Sequence, residues 1–406
     1  VHMTLRGSPA YYAWVAVLLV LIVVGALAYI EQWQQGLIVT SMRDPVSWGF
    51  YIGNFTFLVG VAAAAVVLVI PAYVYNWKPI KEIAVIGELL AICAIVMCIL
   101  FVVADMGHPE RAWHLLPYFG KPNFPRSLLA WDVLVLNLYL ILNLTIAAHV
   151  LYSGYMGRPY NKKLALPLIL LSIPAAVSIH TVTAFLFSGL AARPYWNAAI
   201  LAPRFLTSAF CSGPAIILVL LQILRRTTIL QIKDEALWKI AELMAYAMFI
   251  NLFLFGAEVY REYYSNTHHL IHYQYLFSGV DGNNGIVVFG WAAVICSTSA
   301  FLIFLVPKTR RNPIMLNLGA LLIYSGVYIE KGVALVIPGF APSTMGEIYD
   351  YVPSFTELQV AAGIFGVGFL MFTLLIKIAV PIMTGTVPGR EIQSAEKADP
   401  ALAEAA

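Results

Sequence analysis

The chain has 406 residues, of which 61% are hydrophobic and only 11% charged, with a formal net charge of +3. Soluble globular proteins carry roughly 25% charged residues, so a water-facing surface cannot be built from this composition. It excludes a soluble enzyme, and the small positive balance leaves no electrostatic footprint for nucleic acid.

The bilayer is therefore the expected solvent, and a spanning helix needs about 20 mostly apolar residues. Ten runs meet that length, at about 11–30, 48–75, 83–104, 128–151, 164–190, 206–224, 236–260, 286–306, 314–337 and 358–382. The runs are continuous rather than alternating, which points to helices and not to barrel strands. The first run lacks a small-residue cleavage site and reads as a retained helix, not a signal peptide. The expected fold is an all-α polytopic membrane domain over 1–387. The Ala/Glu-rich stretch 388–406 reads as a disordered cytoplasmic tail.

Orientation follows from Lys and Arg in the loops. The loops after the even-numbered runs, with both termini, hold about twice as many as the others; Lys162, Arg225, Arg226 and Arg310 are among them. Both termini are thus expected in the cytoplasm of a prokaryotic inner membrane. The long, chemically rich loops after runs 3, 5, 7 and 9 then face outward. Cys93, Cys98, Cys211 and Cys296 all fall inside apolar runs and form no metal- or haem-attachment motif, so they read as small buried hydrophobes.

A charge deep in a bilayer costs about 2.5–3.5 kcal/mol or more, so polar groups at that depth are paired, hydrated or functional. Asn54, Asp105, Asp132, Arg204, Glu258, Glu330 and Lys331 cluster toward the outer ends of their runs, with His180 deeper and Tyr51 beside Asn54. Glu88 lies near an inner end. Singly, each reads equally well as an interhelical hydrogen bond or ion pair; their shared level suggests a polar pocket beneath the outer loops. His180 as a haem ligand would need a second histidine at its level, and His149 lies near the other end of its run. A neutral, hydrogen-bonding or proton-accepting His180 is the expected state. Trp113, Tyr195 and Trp196 read as interfacial belt or wall.

Certain motifs are distinctive: WGFYIGNFTFLVG in run 2, DMGHPERAWHLL after run 3, SIHTVTAFLFSGLAARPYWNAAILAPRF from run 5 onward, and YSGVYIEKGVALVIPG in run 9. Together they resemble the NrfD-like, polysulfide-reductase-type membrane subunits. The nearest likeness is to the ten-span branch with the hydrogenase HybB-like subunits and the DsrP-type subunit of sulfite-reduction-associated DsrMKJOP complexes. The resemblance extends to about residue 382. It implies two four-helix bundles, runs 2–5 and 6–9, flanked by runs 1 and 10. It also implies a bound menaquinone or other quinone, with no haem or iron–sulfur cluster in this chain. The partners implied are a periplasmic ferredoxin-like iron–sulfur subunit, a cytochrome c subunit, and a second membrane subunit with a cytoplasmic iron–sulfur partner.

On that resemblance, His180 and Asn54 are expected to contact the quinone head group, with Tyr51 and Arg204 near it. Asp105, His108 and Asp132 would exchange protons with the outer side. Glu258, Glu330 and Lys331 would form a proton-conducting line, with Glu88 as its cytoplasmic access. A secondary transporter with buried charges and a passive anchor for redox subunits are the competing readings.

Overall fold

A computed structural model describes residues 6–75, 77–116, 119–267 and 269–386. The expected tail 388–406 lies outside the described residues. All ten apolar runs are helices long enough to cross a bilayer: α1 (Pro9–Gln35), α2 (Phe50–Val74), α3 (Ala84–Asp105), α4 (Leu128–Tyr155), α5 (Lys162–Ser188), α6 (Leu201–Thr227), α7 (Asp234–Ser265), α8 (Val287–Leu305), α9 (Pro313–Phe340) and α10 (Phe355–Thr384). Among the described residues there are no strands, only two isolated bridges in loops.

Helix starts follow local capping chemistry. The side chains of Ser8, Ser127, Asn161 and Asn312 accept N–H bonds from the first turns of α1, α4, α5 and α9, satisfying donors that have no intrahelical partner. The start of α10 is a full capping box: Ser354 Oγ takes the Glu357 N–H, and the Glu357 carboxylate takes the Ser354 N–H.

Helices α2–α5 form one bundle and α6–α9 a second, joined where α2 packs on α6 and α9 and where α5 packs on α6. Helices α1 and α10 do not bracket the bundles from opposite sides. They pack on each other, and α10 packs on α3, so they form a pair against the first bundle. Gly25 and Gly363 make that pairing close: a Cβ on Gly25 would sit 2.5 Å from Gly363 Cα, and only glycine permits such backbone approach.

Two helices are broken at membrane depth. In α2 the regular ladder stops at Ala63 and passes through a wide turn over Ile70–Val74 that contains Pro71, which has no N–H to donate. Tyr139 of α4 donates to the Ala62 carbonyl at the first break, at 3.2 Å. In α9 the helix is interrupted after Gly332 and resumes at Val336. There Tyr195 Oη and Trp196 Nε1 donate to the carbonyls of Ala334 and Leu335, each at 2.8 Å. Irregular backbone survives in a bilayer only when protein groups satisfy it in this way. Tyr195 and Trp196 are therefore buried clamps on the α9 break rather than belt residues, whereas Trp113 is half exposed.

Candidate functional site

The end of the bundle away from both termini, here the distal end, carries nearly all the polar groups picked out from the sequence. They separate into three sets.

The first set lies within α2–α5. His180 is fully buried; its Nδ1 bonds the Ala176 carbonyl at 2.6 Å, while Nε2 has no hydrogen-bond partner. Eight residues separate it from the distal end of α5, about 12 Å along the axis. Asn54 is also buried, but both ends of its amide are used: Nδ2 donates to the Phe50 carbonyl at 2.8 Å, and Oδ1 accepts from Tyr328 of α9 at 2.9 Å. It ties α2 to α9 where Gly53 meets Gly332 at a separation that leaves no room for a Cβ. Asp132 is buried and accepts from Thr183 of α5 at 2.9 Å. Glu88 is buried with neither oxygen partnered. It lies seventeen residues before Asp105 on α3, about 25 Å nearer the terminal end. Among the described residues no ion pair involves Asp105, Asp132 or Glu88.

The second set joins all of α6, α7 and α9. Arg204 pairs with Glu258 through one guanidinium nitrogen and with Glu330 at 2.9 Å through another. Asn251 donates to the other Glu330 oxygen at 3.1 Å. Lys331 lies 3.8 Å from Glu330 and over the Phe205 ring. Two cations thus face two carboxylates. The sequence presented these as separate polar groups; the structure makes them one charge-matched cluster, with Lys331 acting electrostatically on the His180 ring across the bundle interface. A cavity of about 20 Å³ beside the cluster is lined by Arg204, Asn251, Ser297 and Glu330.

The third set joins Tyr51 and Asp105 to two residues missed in the sequence, Glu357 and Gln32. Glu357 of α10 is fully buried and accepts from the N–H groups of Ser41 and Ser354, at 2.8 and 2.9 Å, and from the Tyr351 hydroxyl. Gln32 of α1 donates to the Ala104 carbonyl at 2.7 Å and accepts from Tyr51 at 2.7 Å. Glu357 acts electrostatically on Asp105 and both act on Tyr51, while Asp105 Oδ1 is buried without a partner. Tyr51 therefore faces α1 and α3, not His180.

His108 is not brought into any of these sets. It is exposed in the loop after α3 and pairs with Glu110 at 2.8 Å. The Glu110 carboxyl is held below its usual range by its own backbone and by His108. His272, in the distal loop helix Leu270–Phe277, is buried beside Tyr195, and burial pushes its imidazole below the ordinary value. His149 accepts the Asn161 N–H at 3.2 Å at the terminal end, well away from His180. Among the described residues no three His, Cys, Asp or Glu side chains gather as a metal site.

Comparison with known proteins agrees with this architecture. Residues 38–341, which span α2 to the end of α9, match the family described as "Polysulphide reductase, NrfD". Over its length the chain is similar to a selenate reductase subunit of Mesobacillus selenatarsenatis, at 25% identity over 89% of this chain and 92% of that one. A putative dimethyl sulfoxide reductase membrane subunit of Halobacterium salinarum is 27% identical over 88% of both chains. The Hdr-like menaquinol oxidoreductase integral membrane subunit of Archaeoglobus fulgidus is 22% identical over 91% of this chain and 93% of its own. With three quarters of its length in that match, a ten-helix body and the motifs quoted above, the chain is a member of the NrfD family of integral membrane subunits.

Proposed function

We propose that the chain is the quinone-facing subunit of a respiratory oxidoreductase complex, passing electrons between menaquinone and an iron–sulfur subunit docked on its distal surface. The observation that carries this reading is His180: its Nε2 is buried and unpartnered, in a bundle where Asp105, Asp132 and Glu88 form no ion pair among the described residues. An unmet buried polar atom is costly; with Nδ1–H donated to the Ala176 carbonyl, Nε2 of the neutral ring is an acceptor, which a hydroxyl of a lipid-borne quinol head group would meet. The menaquinol oxidoreductase and the reductases among the relatives support the same role.

A bound quinone would supply two-electron, two-proton chemistry. This chain's part is to orient the head group and move protons. His180 would hold one ring oxygen through Nε2. Asn54, spent on Phe50 and Tyr328, would fix the α2–α9 wall rather than touch the head group. Asp132 would exchange protons through Thr183, and Asp105 would do so at the distal rim. Glu88 offers a landing point for protons from the terminal side. Glu258, Glu330 and Lys331, closed on one another and on Arg204, would brace the second bundle rather than carry a proton line.

In this reading the distal end faces the periplasm and both termini face the cytoplasm, as the loop charges suggest. The partners are those of a DsrMKJOP-type assembly: a ferredoxin-like iron–sulfur subunit, a cytochrome c, and a second membrane subunit with its cytoplasmic iron–sulfur protein. Substituting His180→Ala in the assembled complex should lower menaquinol-linked turnover at least tenfold. Wild-type turnover with unchanged quinone KM would remove His180 from the site.

A further inference from the structure

Two large grooves open from the membrane face into the helix packing, and they differ in charge. One lies between α2, α6 and α7 toward the terminal end, with a volume of about 690 Å³; Ile70, Pro71, Trp77, Phe210, Lys239 and Ile250 are among its lining residues. It opens where α2 leaves its regular ladder, since Ile70 and Pro71 of the wide turn form part of its wall. The other, of about 760 Å³, lies between α7, α8 and the loop helix Leu270–Phe277. It is walled by Phe253, Tyr263, Trp291 and Phe301 among others, and no Lys, Arg, Asp or Glu lines it.

The first groove has the depth of one leaflet. Lys239 and Ile250, which line its two ends, are eleven residues apart on α7, about 16 Å along the axis. The hydrocarbon core of a bilayer is about 30 Å thick, so the groove runs from the terminal interface to near the midplane. Its rim is basic and aromatic. Lys239 lines it together with Trp77 and Tyr75, residue types that settle at the level of lipid head groups. The exposed Lys78 follows Trp77 in the short helix Lys78–Lys81, which packs on α7. The nearby acid does not cancel this charge: Glu242 stands 3.5 Å from Lys239 and 3.5 Å from Arg310, so one carboxylate faces two cations. The α2–α3, α6–α7 and α8–α9 loops at this end also carry more basic than acidic residues. A phosphate complements that surplus, and a single acyl chain complements the apolar length behind it.

We propose that this groove is a seat for an anionic phospholipid, with its phosphate at Lys239 and Lys78 and one acyl chain laid along α7 toward Ile250. Basic pockets between membrane helices hold anionic head groups by the same combination of charge and apolar wall. The lipid would fill the side of α2 that its wide turn leaves open and tie that turn to α6 and α7. The seat does not depend on the quinone reading, since it lies at the opposite end of the molecule from the distal polar groups.

The test is photolabelling of the intact complex in phosphatidylethanolamine liposomes, followed by peptide mapping. The probe is phosphatidylglycerol with a diazirine in its acyl chain, compared with phosphatidylcholine carrying the same chain. Phosphatidylglycerol should label 67–77 and 239–250 about fivefold more than phosphatidylcholine does, the effect of one Lys at an anionic surface. Label on 291–302, in the uncharged groove, should not distinguish the two head groups. Lys239→Gln should remove the preference on 239–250 and leave 291–302 unchanged; Lys78→Gln, which should weaken it, serves if the first variant fails to assemble. Equal labelling by both head groups in both grooves would overturn the seat and leave only the ordinary lipid shell. Label on 239–250 that excess menaquinone displaces and unlabelled phosphatidylglycerol does not would overturn it in favour of a quinone tail.

Discussion

The two bundles solve the same problem, polar groups at membrane depth, in opposite ways. In α6–α9 Arg204 and Lys331 face Glu258 and Glu330, and each carboxylate has a cation within reach. In α2–α5 the acids Asp132 and Glu88 have no Lys or Arg partner among the described residues, and His180 Nε2 has no hydrogen-bond partner among them. A matched cluster is closed chemistry: it fixes helices and resists change. Unmatched acids and an open imidazole nitrogen have something left to bind. Under the proposed function, the second bundle would brace the fold and the first would bind the carrier and exchange protons.

That contrast breaks most visibly at Arg204. Removing one partner from a buried ion pair costs about 3–5 kcal/mol because it strands the other charge. Arg204→Leu, which strands Glu258 and leaves Glu330 with Lys331 and Asn251 alone, should lower the melting temperature and yield of the complex sharply. Restoring the balance with Glu258→Leu in the same chain, which leaves Glu330 paired with Lys331, should recover most of the loss. If Arg204→Leu melts like wild type, the cluster is no brace.

In the first bundle the ranking of effects reverses. Asp132→Asn keeps an acceptor for Thr183, so stability should change by no more than about 1 kcal/mol. Turnover should nevertheless fall by about 10²-fold, the scale of a lost proton-transfer group. Unchanged quinol oxidation in Asp132→Asn would make this aspartate structural too. Glu88→Gln should alter stability less still, since no partner is lost, while slowing proton uptake from the terminal side in liposomes. A large destabilisation there would reveal a partner that the burial of Glu88 conceals.

The smallest effect concerns the distal loops. Burial lowers the His272 pKa, so the unfolded chain binds its proton more readily than the folded one. Stability from this residue is fully present above the ordinary imidazole value of about 6.5 and is lost as pH falls toward the lowered folded value. His272→Phe should flatten the acid side of the melting profile by a degree or two. An unaltered slope would place the acid sensitivity elsewhere.

The fold was largely legible because ten long apolar runs permit little else. Boundaries drifted where polar residues extend a helix past its apolar stretch. The apolar run of α1 ends near residue 30, whereas the helix continues to Gln35; Gln32 therefore fell outside the expected span and was not weighed as an intramembrane amide. Glu357 lies one residue before the run expected at 358–382 and so fell in the preceding loop, although Ser354 three residues before it is the pattern of a capping box. Arg204, Glu258 and Glu330 were each found singly. Their union was not, because 54 and 126 residues separate the arginine from its partners, and no local pattern reports such a contact. His108 was drawn in by its motif, yet a histidine two residues from Glu110 in a polar loop had a local partner at hand.

The division of labour between the bundles is tested most directly by infrared difference spectroscopy of the intact complex on quinone reduction. Reduction should produce a carboxyl C=O band change that Asp132→Asn or Asp105→Asn removes and that Glu258→Gln and Glu330→Gln leave in place. A band that survives both aspartate substitutions and disappears with Glu330→Gln would contradict that division and move the proton chemistry to the second bundle.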